Sequence, residues 1–191
     1  MCVLRWLPNL LSLTRIVLVP AWLALAVHQR DLALEGRTPH HVGVLLLLLV
    51  IGATDALDGL IARRFGLTSR LGAVLDAVAD KLATFIAVGF LSLFAGPAFT
   101  AMPVWLFAAL VLRDLLLGAG YLWILHGHRE APVEHRWHGR LATLVLFFTV
   151  AAACAQGPQL LVDAMSVVVL ALVVPGTWDY LRSGVRRTSQ R

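Results

Sequence analysis

Six apolar stretches, each close to the ~20 residues that a membrane-spanning helix needs, take up most of this 191-residue chain. Short polar segments separate them. Because apolar stretches of this length must be removed from water, the sequence predicts six transmembrane helices. The predicted spans cover residues 10–28, 42–62, 72–95, 101–126, 139–156 and 159–181.

The composition agrees with a membrane protein. Hydrophobic residues make up 59% of the chain and charged residues 14%, against roughly 45–50% and about 25% in soluble domains. A soluble globular fold is excluded, because too much apolar surface would face water. The spans also leave no room for a large catalytic domain outside the membrane. We expect an all-α integral membrane protein that forms a single domain over residues 1–191.

The basic residues predict the orientation of the chain. Most of the 16 Arg and Lys residues fall on one side of the predicted spans, where we also place Arg5 and Arg15, and only Arg30 and Arg37 are left for the other side. Basic residues are enriched on the cytosolic side, so both termini are expected in the cytosol, after a short interfacial segment at residues 2–9. The expected location is a bacterial inner membrane, with the site facing the cytosol.

The charge distribution also bears on partners. The net charge of +5 is spread in small groups beside the spans, which is typical of contact with anionic lipid headgroups. No basic run with interleaved aromatic residues marks a nucleic-acid interface. We therefore expect membrane lipid, and no nucleic acid, as a partner.

Acidic residues inside the predicted spans point to a metal site. Each ionised carboxylate in a bilayer costs at least about 2.5 kcal/mol, so five of them need compensation. Pairing with the three basic residues Arg63, Lys81 and Arg113 would leave acids unneutralised, whereas one or two bound divalent cations would neutralise them. The five acids are Asp55, Asp58, Asp76, Asp80 and Asp114.

Their spacing brings four of these acids together. Asp55 and Asp58 are three residues apart, and Asp76 and Asp80 are four apart, so each pair lies on one face of its helix. A short turn makes the two helices antiparallel neighbours, and at ~1.5 Å rise per residue each pair begins roughly 8 Å below the cytosolic edge. Hard oxygen ligands favour Mg²⁺ or Mn²⁺, and two such ions about 3.5 to 4 Å apart suit phosphoryl chemistry.

Residues 55–80 carry the pattern D-x2-D-G-x2-A-R-x8-G-x3-D-x3-D. This segment strongly resembles the signature of the CDP-alcohol phosphotransferase, or phosphatidyltransferase, family. Eight fixed positions over 26 residues make the resemblance specific. They are Asp55, Asp58, Gly59, Ala62, Arg63, Gly72, Asp76 and Asp80.

The resemblance implies an enzyme that transfers a substituted phosphate group. In this family a hydroxyl of the acceptor attacks the phosphorus next to the lipid of a CDP-linked donor, and CMP leaves. It implies that Asp80 is the general base and also a metal neighbour. The implied metal ligands are Asp55, Asp58, Asp76 and Asp80, for Mg²⁺ or Mn²⁺ and for two ions. The implied CDP-binding residues are Asp55, Asp58, Gly59, Ala62, Arg63 and Gly72.

The acceptor stays open between two alternatives. Residues 8–15 resemble the P-N-x-L-[ST]-x-x-R opening of phosphatidylglycerolphosphate synthases and cardiolipin synthases. Together with Lys81 after Asp80, this opening favours a glycerol-type acceptor. The Arg113-Asp114 pair resembles the cardiolipin synthase branch, or is an intramembrane ion pair that only packs helices. Arg140 stands where both branches usually have Lys, and is a second candidate for holding an acceptor or lipid phosphate.

We expect phosphatidyl transfer from CDP-diacylglycerol to glycerol 3-phosphate in phospholipid biosynthesis, with transfer to phosphatidylglycerol as the alternative. A divalent-metal transporter would also gather carboxylates in a helix bundle. Such a protein needs polar residues near the middle of the bilayer in several spans, whereas the acids here cluster toward the cytosolic side. Homodimers are common in the family that the chain resembles.

Overall fold

The chain folds into helices throughout the part that the structure describes. The computed structural model describes residues 7–65, 70–126 and 137–186, with side chains at 14–57, 78–120, 139–175 and 177. These ranges contain no strand. The six helices are α1 (Leu7–Leu34), α2 (His41–Phe65), α3 (Arg70–Leu93), α4 (Val104–His126), α5 (Trp137–Cys154) and α6 (Gln159–Arg186).

All six predicted apolar stretches are helical, which confirms the all-α class. Among the described residues, only Thr14–Leu34 is both long and apolar enough to cross a membrane by length and hydropathy alone. Three apolar helical segments are shorter, and they lie at His41–Leu57, Gly139–Cys154 and Gln159–Pro175. The six-span topology and the cytosolic termini stay predictions.

The first helix is longer than the predicted span, which ends at residue 28. It continues to Leu34 because the polar residues after 28 do not break a helix, and the first stop signal is Gly36. Gly36 has a φ of 76°, a conformation that suits glycine. Its N–H donates to the Ala33 carbonyl at 3.1 Å and the Arg37 N–H donates to the Leu32 carbonyl at 2.9 Å. These bonds satisfy the last carbonyls of α1.

The chain divides into two compact units. The first comprises Met1–Ala101 and Val150–Gly157, and the second comprises Met102–Thr149 and Pro158–Arg191. In the first unit α1 packs against both α2 and α3, and in the second α4 packs against α6. The division falls within α5.

The core of the first unit is built around Trp22 of α1. Its side chain is buried, and its indole N–H donates to the Val44 carbonyl of α2 at 3.2 Å. Its ring also meets Phe90 of α3 edge-on, with centroids 6.2 Å apart. A buried indole needs such an acceptor, so this residue fixes α1 against both of its neighbours.

Two helix faces meet along this core. On α1 the buried residues recur every three or four positions, which places them on one face; they are Arg15, Val19, Trp22, Ala26 and Gln29. On α2 the buried residues Val44, Leu48 and Ile51 follow the same spacing, and Asp55 is the next position on that face. Each of these two faces therefore includes a charged residue.

The loop after α3 is tied to the turn after α5 within the first unit. The Thr100 hydroxyl donates to the Gly157 carbonyl at 2.7 Å, and the Gln156 amide donates to the Ala98 carbonyl at 2.9 Å. Gly157 also donates its N–H to the Ala152 carbonyl at 2.8 Å. A Cβ on Gly157 would stand 2.9 Å from that Ala152 oxygen, so this turn requires glycine.

The second unit has buried and exposed apolar faces. Leu106 and Leu110 of α4 and Val162 and Val169 of α6 are buried. The exposed apolar residues of α4, α5 and α6 lie at other positions of the same helices. They include Leu112, Leu115, Leu144, Phe148 and Val167.

Candidate active site

The best-defined feature of the candidate site is an ion pair between α1 and α2. Nη1 of Arg15 lies 2.9 Å from Oδ1 of Asp55. The Arg15 side chain is only 2% exposed, whereas that of Asp55 is 48% exposed. At this distance the contact is a charge-assisted hydrogen bond. The guanidinium is therefore enclosed, whereas the side chain that carries the carboxylate is about half exposed.

Arg15 was missed as a site residue by sequence reasoning. From the sequence, Arg15 is expected among the cytosolic charges, and Arg63, Lys81 and Arg113 are the candidate counter-charges of the acids. In the structure Arg15 lies inside α1 and is buried, whereas its placement on the cytosolic side stays a prediction. A signal for its role was present in the sequence: Arg15 precedes Val19 by four residues and Trp22 by seven, which puts it on the packing face of α1.

Asp80 is the second described acid of the motif. It lies on α3 and is partly buried, next to the buried Ala79 and the partly buried Lys81. Because α1 packs against both α2 and α3, the helices that carry Asp55 and Asp80 share one neighbour.

The remaining motif residues lie within α2 and α3, at Asp58, Gly59, Ala62, Arg63, Gly72 and Asp76. Their side chains lie outside the described residues. Among the side chains that are described, no group of three or more His, Cys, Asp or Glu could hold a metal ion. The convergence of four carboxylates therefore stays a prediction.

The geometry at Asp55 fits a ligand for a hard divalent cation. Its Oδ1 is bound to Arg15, and the 48% exposure of the side chain leaves the carboxylate accessible. A carboxylate is a preferred ligand of Mg²⁺ and Mn²⁺. Ligating carboxylates are themselves commonly hydrogen-bonded to a neighbouring group, which is what Arg15 supplies here.

The Arg113-Asp114 pair forms a second charged feature, in α4. Nη1 of Arg113 lies 3.7 Å from Oδ1 of Asp114, with side-chain exposures of 32% and 13%. This distance is long for a hydrogen bond, so the pair is loose. Nε of Arg113 is buried and has no hydrogen-bond partner among the described residues. The guanidinium therefore has donor capacity that the pair does not use.

Arg140 lies in the first turn of α5 and is exposed. Nearby, the Thr143 hydroxyl donates to the Gly139 carbonyl at 3.1 Å, so that hydroxyl is already engaged within the helix. The exposed position leaves the Arg140 guanidinium accessible to an anion.

Comparison with known proteins places these residues in a family context. A family model described as CDP-alcohol phosphatidyltransferase matches residues 5–178. A CDP-diacylglycerol–glycerol-3-phosphate 3-phosphatidyltransferase of Aquifex aeolicus is 25% identical over 185 residues, which cover 94% of this chain and 96% of that protein. A cardiolipin synthase (CMP-forming) of Streptomyces coelicolor is 33% identical over 146 residues, covering 74% of this chain and 61% of that protein. A CDP-diacylglycerol–glycerol-3-phosphate 3-phosphatidyltransferase of Pectobacterium atrosepticum is 27% identical over 167 residues, which cover 86% of this chain and 84% of that protein.

Proposed function

The chain belongs to the CDP-alcohol phosphatidyltransferase family, and from this premise we propose that it transfers a phosphatidyl group from CDP-diacylglycerol to glycerol 3-phosphate, releasing CMP. The family match over residues 5–178 carries the reaction class. The acceptor is supported by the relative from Aquifex aeolicus, whose similarity extends over nearly the full length of both chains.

The site residues of the proposed reaction come from the motif at residues 55–80. A divalent cation, Mg²⁺ or Mn²⁺, would be held by Asp55, Asp58, Asp76 and Asp80. When bound, it would neutralise charge on the diphosphate of the donor. The exposed, singly paired carboxylate of Asp55 supports this assignment.

The remaining motif residues bind the donor and move the proton. Gly59, Ala62 and Gly72 have small side chains that let the nucleotide approach the helices, and Arg63 would hold a phosphate through two hydrogen bonds. Asp80 would take the proton from the acceptor hydroxyl as that oxygen attacks the phosphorus. The bond from phosphorus to the CMP oxygen then breaks, and CMP leaves.

Arg113 and Arg140 are proposed to hold the acceptor or a lipid phosphate. The unused buried donor of Arg113 and the exposure of Arg140 support this role. Transfer to phosphatidylglycerol is the second candidate, favoured by the Arg113-Asp114 pair and by the relative from Streptomyces coelicolor.

The proposed setting is a bacterial inner membrane. In it, a single domain of six spans keeps both termini and the site on the cytosolic side, and the acyl chains of the donor stay in the bilayer. The apolar helical segments and the exposed apolar residues of α4 to α6 support this placement.

A CMP-release assay tests the proposal. Purified protein is supplied with CDP-diacylglycerol and Mg²⁺ or Mn²⁺, and with glycerol 3-phosphate, phosphatidylglycerol, inositol phosphate or serine as separate acceptors. We expect release with glycerol 3-phosphate alone. Release with phosphatidylglycerol alone would establish the second candidate, and no release with any acceptor from folded protein would refute phosphatidyl transfer to this acceptor class and leave a transporter to be tested by metal uptake.

A further inference from the structure

Arg15 lies outside the aspartate signature at residues 55–80. We propose that Arg15 is a positioning residue of the active site, which holds Asp55 through Oδ1 and leaves Oδ2 to a divalent cation. This inference rests on the proposed metal site and names one residue that orients it.

The burial of Arg15 is the first observation behind this role. A guanidinium that is 2% exposed cannot exchange the Asp55 carboxylate for water, and taking a counter-charge away from a buried charge is costly. The 2.9 Å contact with Asp55 is therefore expected to persist whatever else binds at the carboxylate.

The position of Asp55 is the second observation. Asp55 continues the packing face of Val44, Leu48 and Ile51, so its Cα is fixed by the contact between α1 and α2. The carboxylate would still rotate about its side-chain bonds on that fixed backbone. The contact between Arg15 and Oδ1 removes this freedom, because it ties one oxygen to a rigid neighbouring helix.

The unequal exposure of the two partners is the third observation. Arg15 is enclosed and Asp55 is 48% exposed, so the pair presents a carboxylate outward and keeps its counter-charge inward. This arrangement is the one that a metal ligand with a supporting hydrogen bond requires.

Direct Mn²⁺ binding, measured in the absence of any lipid substrate, tests the role. Free Mn²⁺ is quantified by its electron paramagnetic resonance signal during titration of purified wild-type protein, Arg15→Met and Arg15→Lys. Loss of a group that orients a metal ligand typically weakens metal affinity 10- to 100-fold, so we expect the Kd of Arg15→Met to rise by about that factor. Arg15→Lys keeps a positive charge inside the protein but lacks the planar guanidinium with its fixed donors. We expect this variant to bind Mn²⁺ at least about threefold more weakly than wild type.

Arg37→Gln is the matched control, since it removes the same charge from a side chain that is 68% exposed. Its Kd should equal that of wild type. A Kd in both Arg15 variants equal to that of wild type would overturn the positioning role while leaving the metal site intact. A lower Kd would also overturn it, because Arg15 would then act as a competing cation. If wild-type protein binds no Mn²⁺, the proposed metal site itself fails and this inference fails with it.

Repeating the titration in Asp55→Asn protein separates an effect of Arg15 on Asp55 from a general disturbance of the fold. In Asp55→Asn protein the oriented carboxylate is already lost, so adding Arg15→Met should not weaken Mn²⁺ binding further. An additional loss as large as that seen in the wild-type background would overturn the proposal, because Arg15 would then act through the fold or another contact and not through Asp55.

Discussion

The Arg15–Asp55 pair predicts an unequal effect of removing either partner on the stability of the protein. Asp55→Asn takes one negative charge away from a guanidinium that is 2% exposed, whereas Arg15→Met leaves a carboxylate that is 48% exposed and can be hydrated. A buried charge that loses its counter-charge is costly, while a half-exposed one is not. Asp55→Asn should therefore be the more destabilising of the two substitutions.

The magnitudes follow from the exposures. Breaking a fully buried pair costs about 3–5 kcal/mol, and asparagine retains an oxygen that accepts a hydrogen bond, so we expect Asp55→Asn to cost about 2–3 kcal/mol. Arg15→Met replaces a buried charge by an apolar side chain of comparable length, and we expect a cost of about 1 kcal/mol or less. For a chain of this size each kcal/mol shifts Tm by roughly 2–4 °C, so the Asp55→Asn shift should be roughly 4–12 °C.

The measurement is thermal unfolding of the purified variants in detergent with EDTA, so that loss of bound metal does not contribute. The double variant Arg15→Met with Asp55→Asn should be more stable than Asp55→Asn alone, because the enclosed charge is gone. An equal loss of Tm in Arg15→Met and Asp55→Asn would contradict this expectation, and so would a double variant that is no more stable than Asp55→Asn.

Three further predictions concern the reaction and the fold. Asp80→Asn should abolish turnover, measured by CMP release, and should retain CDP-diacylglycerol binding, measured by ligand-induced thermal shift. Full activity of this variant would show that Asp80 is not the general base. Arg140→Ala should raise the acceptor KM about 10-fold with little change in kcat, and an unchanged KM in the same assay would remove the phosphate contact. Gly157→Ala should destabilise the protein by about 1–3 kcal/mol, because its Cβ would meet the Ala152 oxygen at 2.9 Å. Thermal unfolding measures this, with Thr100→Val, which removes a 2.7 Å hydrogen bond to the same turn, as a comparison; an unchanged Tm for Gly157→Ala would contradict the predicted clash.

The helical fold could be predicted because apolar stretches of membrane-spanning length are easily recognised in the sequence. Each of the six predicted stretches is helical. The largest errors in the predicted boundaries occur at the ends of helices, where polar residues extend a helix past its apolar part. The end of α1 illustrates this: the apolar run weakens at residue 28, but the helix stops only at the cap formed by Gly36. Hydropathy reports where lipid contact ends, whereas the backbone hydrogen bonds of the cap decide where the helix ends.

The division into two compact units could not be predicted in the same way. No linker or change of composition marks it, and it falls inside α5, between Thr149 and Val150. The side-chain and backbone bonds among Ala98, Thr100, Gln156 and Gly157 tie the end of α5 to the loop after α3. Contacts of this kind depend on loop geometry, which apolar periodicity does not encode.

The candidate site was predictable as a set of residues but not as a set of contacts. Asp55 and Asp80 stand out because carboxylates in apolar helices are expensive. The partner of Asp55 did not stand out, because charge balance was sought among basic residues near the motif or inside neighbouring spans. Arg15 is 40 positions away in sequence, and only the packing of α1 on α2 brings it to Asp55.

This contact changes what the amino-terminal motif says about substrate. By resemblance, the opening at residues 8–15 favours a glycerol-type acceptor. Its final arginine, however, contacts the first aspartate of that motif at 2.9 Å. A residue that orients a metal ligand serves the donor diphosphate, which is common to every acceptor. The choice between glycerol 3-phosphate and phosphatidylglycerol must therefore be sought in other residues, and Arg113 and Arg140 are the charged candidates that the described structure offers.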